Sequence, residues 1–377
     1  MNHHALPTAI LLLSACTIVE EHPISLRPCD PTFGTDGESS GSSSSSAESS
    51  DVSSSEDSLS DEGSSDEGST GDPPTGVPAP TATCPVLDTG STAPHTVSVC
   101  PAGMTSCRNA LVVNAHDASG TGPLAIYMHG TYESPTGVLP YDPIDYPPSW
   151  GQRHGIRMEI ETHNGLLILP YGDPAAAART NNPFPWWPIC GPEGTGCDRT
   201  DDYQVVDELV ACAVDQGLVD PARLTISGLS AGGIMTSLEL AARDYWAAGA
   251  VWSGGMPMGA EFEPAGDAPV AVFHGGAGDV YCGVGAVGCY SFRPPSESLA
   301  EDQVAAGNFA VICDHQAGHA AAMAQQGAEF LMLGHTIAIP SSGSMVDSLQ
   351  SYGFSGGTRW MWDNFGCYDA GGVNPWD

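Results

Sequence analysis

Arg223-Leu224-Thr225-Ile226-Ser227-Gly228-Leu229-Ser230-Ala231-Gly232-Gly233-Ile234 is the stretch that decides the fold of this chain. A short apolar run with β-branched residues enters Gly-x-Ser-x-Gly, and an Ala/Leu-rich segment at helical spacing follows to about Arg243. A strand that turns this sharply into a helix leaves no room for a Cβ on either side of the serine, so both flanks are glycine. The turn lifts the Ser230 hydroxyl to a helix N-terminus, where backbone N–H groups can meet developing negative charge. Gly233 allows the helix to pack close to the sheet.

The bare pattern is weak in a chain this rich in Gly and Ser, and it occurs three times. Ser39, in Gly37-Glu38-Ser39-Ser40-Gly41, lies in a Ser/Asp/Glu tract with no scaffold. Ser355, in Gly353-Phe354-Ser355-Gly356-Gly357, follows no strand. Only Ser230 has a strand before it and a helix after it, and we read it as a nucleophile.

Outward from that turn, short apolar runs alternate with helical patterns. Leu111-Val112-Val113, Leu124 to Met128, Leu166 to Leu169, Ala250-Val251-Trp252 and Pro269 to Phe273 read as strands, and Phe309 to Cys313 as the last strand of the sheet. Tyr203 to Val214 reads as a helix. The alternation predicts an α/β fold, with a mainly parallel sheet and helices on both faces.

A serine hydroxyl must lose its proton to attack, so it needs a histidine base held by a carboxylate. In α/β-hydrolases the order along the chain is Ser, acid, His. Asp279 ends the Gly-rich loop His274-Gly275-Gly276-Ala277-Gly278 at the C-terminal edge of a strand, where catalytic groups gather in parallel sheets. His319, in Asp314-His315-Gln316-Ala317-Gly318-His319, leaves the strand ending at Cys313 and is the first choice of base; His335 and His315 follow. The oxyanion hole would take one donor from the N–H of Ala231 and one from the N–H of Gly130 or Thr131, with His129 structural. Metal binding by His315 and His319 is disfavoured because Gly318 breaks the helix such a pair needs. No metal or cofactor is expected.

Met128-His129-Gly130, Gly228 to Gly233, His274-Gly275 through Asp279 and Gly318-His319 together resemble the secreted polyhydroxybutyrate depolymerase and feruloyl esterase-like branch of the α/β-hydrolases, over about Leu111 to His335. The Asp201-Asp202 opening of the helix before the elbow strand also looks like that family. The acid loop is one residue longer than the family pattern, and Ala320-Ala321 stands where Trp-Pro often follows the histidine. The resemblance implies an ester hydrolase working through an acyl-Ser230 intermediate, on polyhydroxyalkanoate, feruloyl or acetyl esters among others. The rival classes are a peptidase of the same fold and a non-catalytic surface protein that kept it. Trp186-Trp187, beside Cys190, could stack on a sugar or an aromatic acyl group; packing in the core is the competing role.

The rest of the sequence speaks to location. Ala9 to Ala15 is too short an apolar run to span a bilayer and ends in Leu13-Ser14-Ala15-Cys16, like a bacterial lipoprotein signal in residues 1–15 with lipidation at Cys16. Residues 16–83 form the lipidated N-terminus and an acidic Ser/Gly/Asp/Glu-rich linker expected to be disordered, ahead of a hydrolase domain at 84–377. The net charge is −35 and every basic residue is Arg. Nucleic acid would be repelled. The partner that the resemblance implies is a small-molecule or polymer-derived ester, with the membrane met only through the lipid. Twelve cysteines fit an exported protein. Cys100 with Cys107, Cys190 with Cys197, and Cys282 with Cys289 are natural local pairs, and Cys29 is the odd residue.

Overall fold

Leu124–Met128 and Leu166–Pro170 are buried at every position. A strand covered on both faces must be apolar without alternation, and these central strands are. The computed structural model describes residues 76–104, 107–114, 122–131, 133–138, 155–172, 200–257, 261–282, 289–333 and 367–369. All belong to the unit Gly68–Asp377. The signal segment with Cys16, Cys29, the greater part of the acidic linker, Ser39, Trp186 and Trp187, the Cys190–Cys197 pair, His335 and Ser355 lie outside the described residues.

In chain order the elements are β1 (His95–Val99), β2 (Arg108–Asn114), β3 (Leu124–Met128), α1 (Pro135–Val138), α2 (Ile156–Thr162), β4 (Leu166–Pro170), α3 (Thr200–Asp215), β5 (Leu224–Leu229), α4 (Ala231–Ala242), β6 (Ala248–Trp252) and β7 (Val270–His274). A hairpin of β8 (Val280–Cys282) and β9 (Cys289–Ser291), then α5 (Arg293–Ala305), β10 (Ala310–Asp314), α6 (Ala324–Leu333) and β11 (Cys367–Asp369) complete them. The large sheet runs β1-β2-β4-β3-β5-β6-β7-β10-β11. From β4 to β10 every pairing is parallel, and antiparallel strands close both edges.

Side chains alternate between two cores. Leu124, Ile126 and Met128 join one cluster, with Val205 and Leu209 of α3, Ile234 and Leu238 of α4, and Leu299 of α5. Ala125 and Tyr127 join the other, with Ile156 and Ile160 of α2 and Phe330 and Leu331 of α6. Helices therefore cover both faces, as the sequence pattern predicts. In the second core Trp252 stacks on Phe273 at 5.1 Å between centroids, a contact worth about 0.5–1.5 kcal/mol beyond area burial.

Two expectations need correction. Phe309 to Cys313 is not the last strand: β11 pairs antiparallel with β10, and a Cys313–Cys367 disulfide joins directly opposed residues. Residues 76–83, read as the end of the linker, include contacts with the domain. The Glu208 carboxylate on α3 accepts the Thr81 N–H at 2.9 Å, the Thr81 hydroxyl at 2.6 Å and the Ala82 N–H at 2.9 Å. Just beyond, Cys84 is joined to Cys212. Polar residues here satisfy a buried carboxylate, which composition alone reads as solvent-loving chain. Cys100–Cys107 and Cys282–Cys289 form as expected.

Candidate active site

The site forms where β3, β5, β7 and β10 all end. Ser230 sits between β5 and α4 with φ 60° and ψ −121°. A non-glycine residue there costs on the order of 1–3 kcal/mol and persists only where its surroundings hold it. Its N–H donates to the Trp252 carbonyl and its own carbonyl accepts the Ile234 N–H, both at 2.9 Å. The glycines of the turn are demanded by contact: a Cβ on Gly232 would overlap the carbonyl of Met128 and come within 2.6 Å of that of His129. The Ala231 N–H opens the helix and has no intrahelical partner.

Asp279 follows a single 3-10 turn, Gly276–Gly278, after β7, and is wholly buried. Oδ2 accepts the Gly275 N–H at 3.0 Å, and Oδ1 meets Nδ1 of His319 at 2.8 Å. A carboxylate only accepts, so Nδ1–H is the donor and Nε2 is left with its lone pair for a substrate-side proton. His319 is held on its loop by the Gly318 N–H, which donates to the Gly275 carbonyl at 3.3 Å. The chain thus joins the expected acid to the first-choice base.

Three further histidines on the loops at this sheet edge each have a ring nitrogen engaged by the backbone. His315 is buried and its Nδ1 accepts the Ala317 N–H at 3.2 Å. His274 Nδ1 accepts the Gly276 N–H at 3.1 Å. His129 clamps the loop after β3: Nδ1–H donates to the Gly130 carbonyl at 2.9 Å, and Nε2 accepts the Gly172 N–H at 3.2 Å. Burial lowers its pKa to about 4, outweighing the bond to Gly130, so it stays neutral and can keep both roles.

Glu133, which sequence reasoning passed over, separates the two alternatives for the second oxyanion donor. Its carboxylate accepts the Gly130 N–H at 2.6 Å, and its own N–H donates back to the Gly130 carbonyl at 3.2 Å. The Gly130 N–H is therefore committed. Burial raises the Glu133 pKa; the Gly130 N–H and the charge of nearby His319 oppose the rise.

Aromatic rings wall the base. Phe292 stacks on the His319 imidazole at 4.5 Å, Tyr281 approaches it at 5.7 Å, and Tyr290 meets Phe292 edge-on at 4.8 Å. They stand on or beside the Cys282–Cys289 hairpin, which returns to the acid through a Phe292 N–H bond to the Asp279 carbonyl at 2.9 Å. The cysteine spacing betrays the hairpin; the placement of its aromatic residues against His319 has no sequence mark. Among the described residues no group of three or more His, Cys, Asp or Glu could hold a metal ion.

No family model matches the chain. It is 27% identical over 169 residues to an oxidized polyvinyl alcohol hydrolase of Sphingopyxis sp. (strain 113P3), a match covering 40% of this chain and 42% of that protein. The match thus spans about two-fifths of the relative's length. Among solved structures, a pOPH variant in complex with DMSO superimposes with TM-score 0.51 at 20% identity, covering 67% of this chain and 89% of the other. Native pOPH gives 0.50 at 19% identity, covering 67% and 90%. With the sheet order and the strand–turn–helix around Ser230, this likeness shows that the chain has the α/β-hydrolase fold.

Proposed function

We propose that the chain is a serine-dependent carboxylic ester hydrolase acting through an acyl-enzyme at Ser230. The observation that carries the reading is the Asp279–His319 pair, 2.8 Å apart and displayed at the same sheet edge as a strained serine elbow. Ser230 Oγ attacks the ester carbonyl carbon as its proton passes to Nε2 of His319. The oxyanion is met by the N–H groups of Ala231 and Thr131. The C–O bond to the alcohol breaks, and the alcohol leaves with the proton from His319. A water molecule then gives its proton to His319 and attacks the acyl carbon, releasing the acid and restoring Ser230. Buried Asp279 keeps Nδ1 protonated and stabilises the imidazolium in both halves.

The relative is named an oxidized polyvinyl alcohol hydrolase, so that polymer belongs in the substrate panel beside polyhydroxyalkanoate, feruloyl and acetyl esters. Four disulfides among the described residues fit an oxidising compartment and support export. Among the described residues no helix is long and apolar enough to cross a membrane.

Hydrolysis of short-acyl nitrophenyl esters, compared between the native protein and Ser230→Ala, tests the reading. Turnover should vanish in the variant, together with labelling by a fluorophosphonate. Equal turnover in both proteins would remove Ser230 from the mechanism, and cleavage of peptide amides in preference to esters would favour the peptidase alternative.

A further inference from the structure

The loop that follows β3 carries a half-buried carboxylate for which the proposed reaction has no step. Glu133 does not hold the base; that is the task of Asp279. Instead its carboxylate reaches back three residues to the Gly130 N–H at 2.6 Å, while the Glu133 N–H returns to the Gly130 carbonyl at 3.2 Å. Two reciprocal hydrogen bonds thus close the 130–133 turn. The fit is tight: a Cβ on Gly130 would stand 2.8 Å from Oε2 of Glu133 and 3.5 Å from the carbonyl of Leu229 in the serine elbow. From behind, His129 holds the same turn through the Gly130 carbonyl.

The turn therefore touches the elbow on one side and lies within electrostatic reach of His319 on the other. Among the turn's described residues, Thr131 is left unclaimed. Its hydroxyl oxygen is buried and has no hydrogen-bond partner. A buried hydroxyl without a partner is destabilising, and an arriving substrate oxygen would supply the missing partner.

We propose that Glu133 is a positioning residue: by accepting the Gly130 N–H it fixes the oxyanion loop, withdraws that N–H from the hole, and leaves the N–H and hydroxyl of Thr131 to bind the oxyanion with the N–H of Ala231. The inference rests on the ester-hydrolase reading and deepens it by naming what shapes the hole. An oxyanion bound by Thr131 through two donors gains a hydrogen bond that strengthens as charge develops on the carbonyl oxygen. The effect belongs on kcat more than on KM.

Fluorophosphonate labelling of the native protein comes first. If Ser230 is not labelled, the proposed function itself fails. With labelling established, kcat, KM and the inactivation rate constant are measured for four variants. Glu133→Leu removes the acceptor, and kcat should drop at least about tenfold with KM little changed, since one lost oxyanion donor is worth on the order of 100- to 1,000-fold. Glu133→Gln keeps a carbonyl oxygen for the Gly130 N–H and should recover most of the rate. Thr131→Val keeps shape and N–H but loses the hydroxyl; it should slow turnover and phosphonate inactivation together, and Thr131→Ser should restore both. Native-like rates in Glu133→Leu and Thr131→Val would overturn the inference while leaving the esterase reading intact. Gln as slow as Leu would also overturn it, because the charge facing His319 and not the accepted bond would then be what matters. Should Glu133→Leu fail to fold, the Gln variant and the Thr131 pair decide alone.

Discussion

Asp279 and His319 are 40 positions apart in the chain, and their side chains meet at 2.8 Å. The second carboxylate oxygen is held by the Gly275 N–H, so the acid cannot swing away from the ring. Phe292, whose N–H binds the Asp279 carbonyl, also stacks on the imidazole. Backbone and ring contacts thus fix both partners before substrate arrives.

Asp279→Asn separates orientation from charge. The amide can occupy the same space, but its NH2 facing Nδ1 would force the proton to Nε2, where it cannot accept from Ser230. We expect kcat to fall about 1,000- to 10,000-fold with thermal stability little changed, as for the same change in other serine triads. Steady-state kinetics with a melting curve checks this; a loss under tenfold would mean that His319 is oriented by something other than Asp279.

Glu208 ties the segment before Cys84 to α3 through Thr81 and Ala82. Glu208→Ala strands two backbone donors and one hydroxyl, a loss of about 1–3 kcal/mol. The variant should show faster amide exchange over residues 77–87 and earlier protease cleavage there, with kcat near the native value because the strap lies on α3, away from the residues around Ser230. Unchanged exchange would show that the disulfide at Cys84 alone secures the segment.

The parts legible in the sequence are those whose constraints are local. Ser230 is marked by glycines that a tight turn demands and by an apolar run on each side. Asp279 and His319 each stand on the short loop that leaves a strand, so chain order and sheet edge place them. Glu133 carries no such mark: its function arises because a turn folds its carboxylate onto Gly130, a return that hydrophobic periodicity does not encode. Strand β11 is three residues long and offers no pattern. Cys84 and Cys212 are 128 positions apart, so their pairing follows from the fold and not from spacing. Thr81 and Ala82 sit in a polar, Pro-rich context, and only Glu208 on a distant helix makes them part of the domain.

That spacing also ranks the disulfides. Closing a loop of 128 residues removes more unfolded-chain entropy than closing one of 7. The chain-entropy relation gives about 5 kcal/mol for the first and about 2 kcal/mol for the second. Replacing Cys84 and Cys212 together by Ser should therefore lower the midpoint of chemical denaturation well below that of the Cys100/Cys107 double variant. Equal midpoints would mean that residual structure already holds the two ends of the long loop together in the unfolded ensemble, so that the crosslink removes little entropy there.

Glu239 on α4 is wholly buried, and neither carboxylate oxygen has a hydrogen-bond partner. Its neighbours are engaged elsewhere: Asp207 takes the Arg243 guanidinium through two bonds of 2.7 Å and the Tyr245 hydroxyl at 2.9 Å, and Asp202 pairs with Arg108 at 3.0 Å. Burial, then the charge of Asp207 and after Arg243 that of Asp202, act on the Glu239 carboxyl; only Arg243 opposes the rise, and the pKa goes well above the ordinary carboxylate value. The folded state therefore keeps a proton that the unfolded chain releases. Stability from this residue is fully present below the unfolded carboxylate pKa of about 4.3 and is lost as pH rises toward the folded value. Glu239→Gln, the neutral isostere, should match the native protein near pH 4 and be the more stable of the two at pH 8. Denaturant titrations at the two pH values decide the matter: a Gln variant less stable at pH 8 would mean that Glu239 is ionised in the fold and held by Arg243.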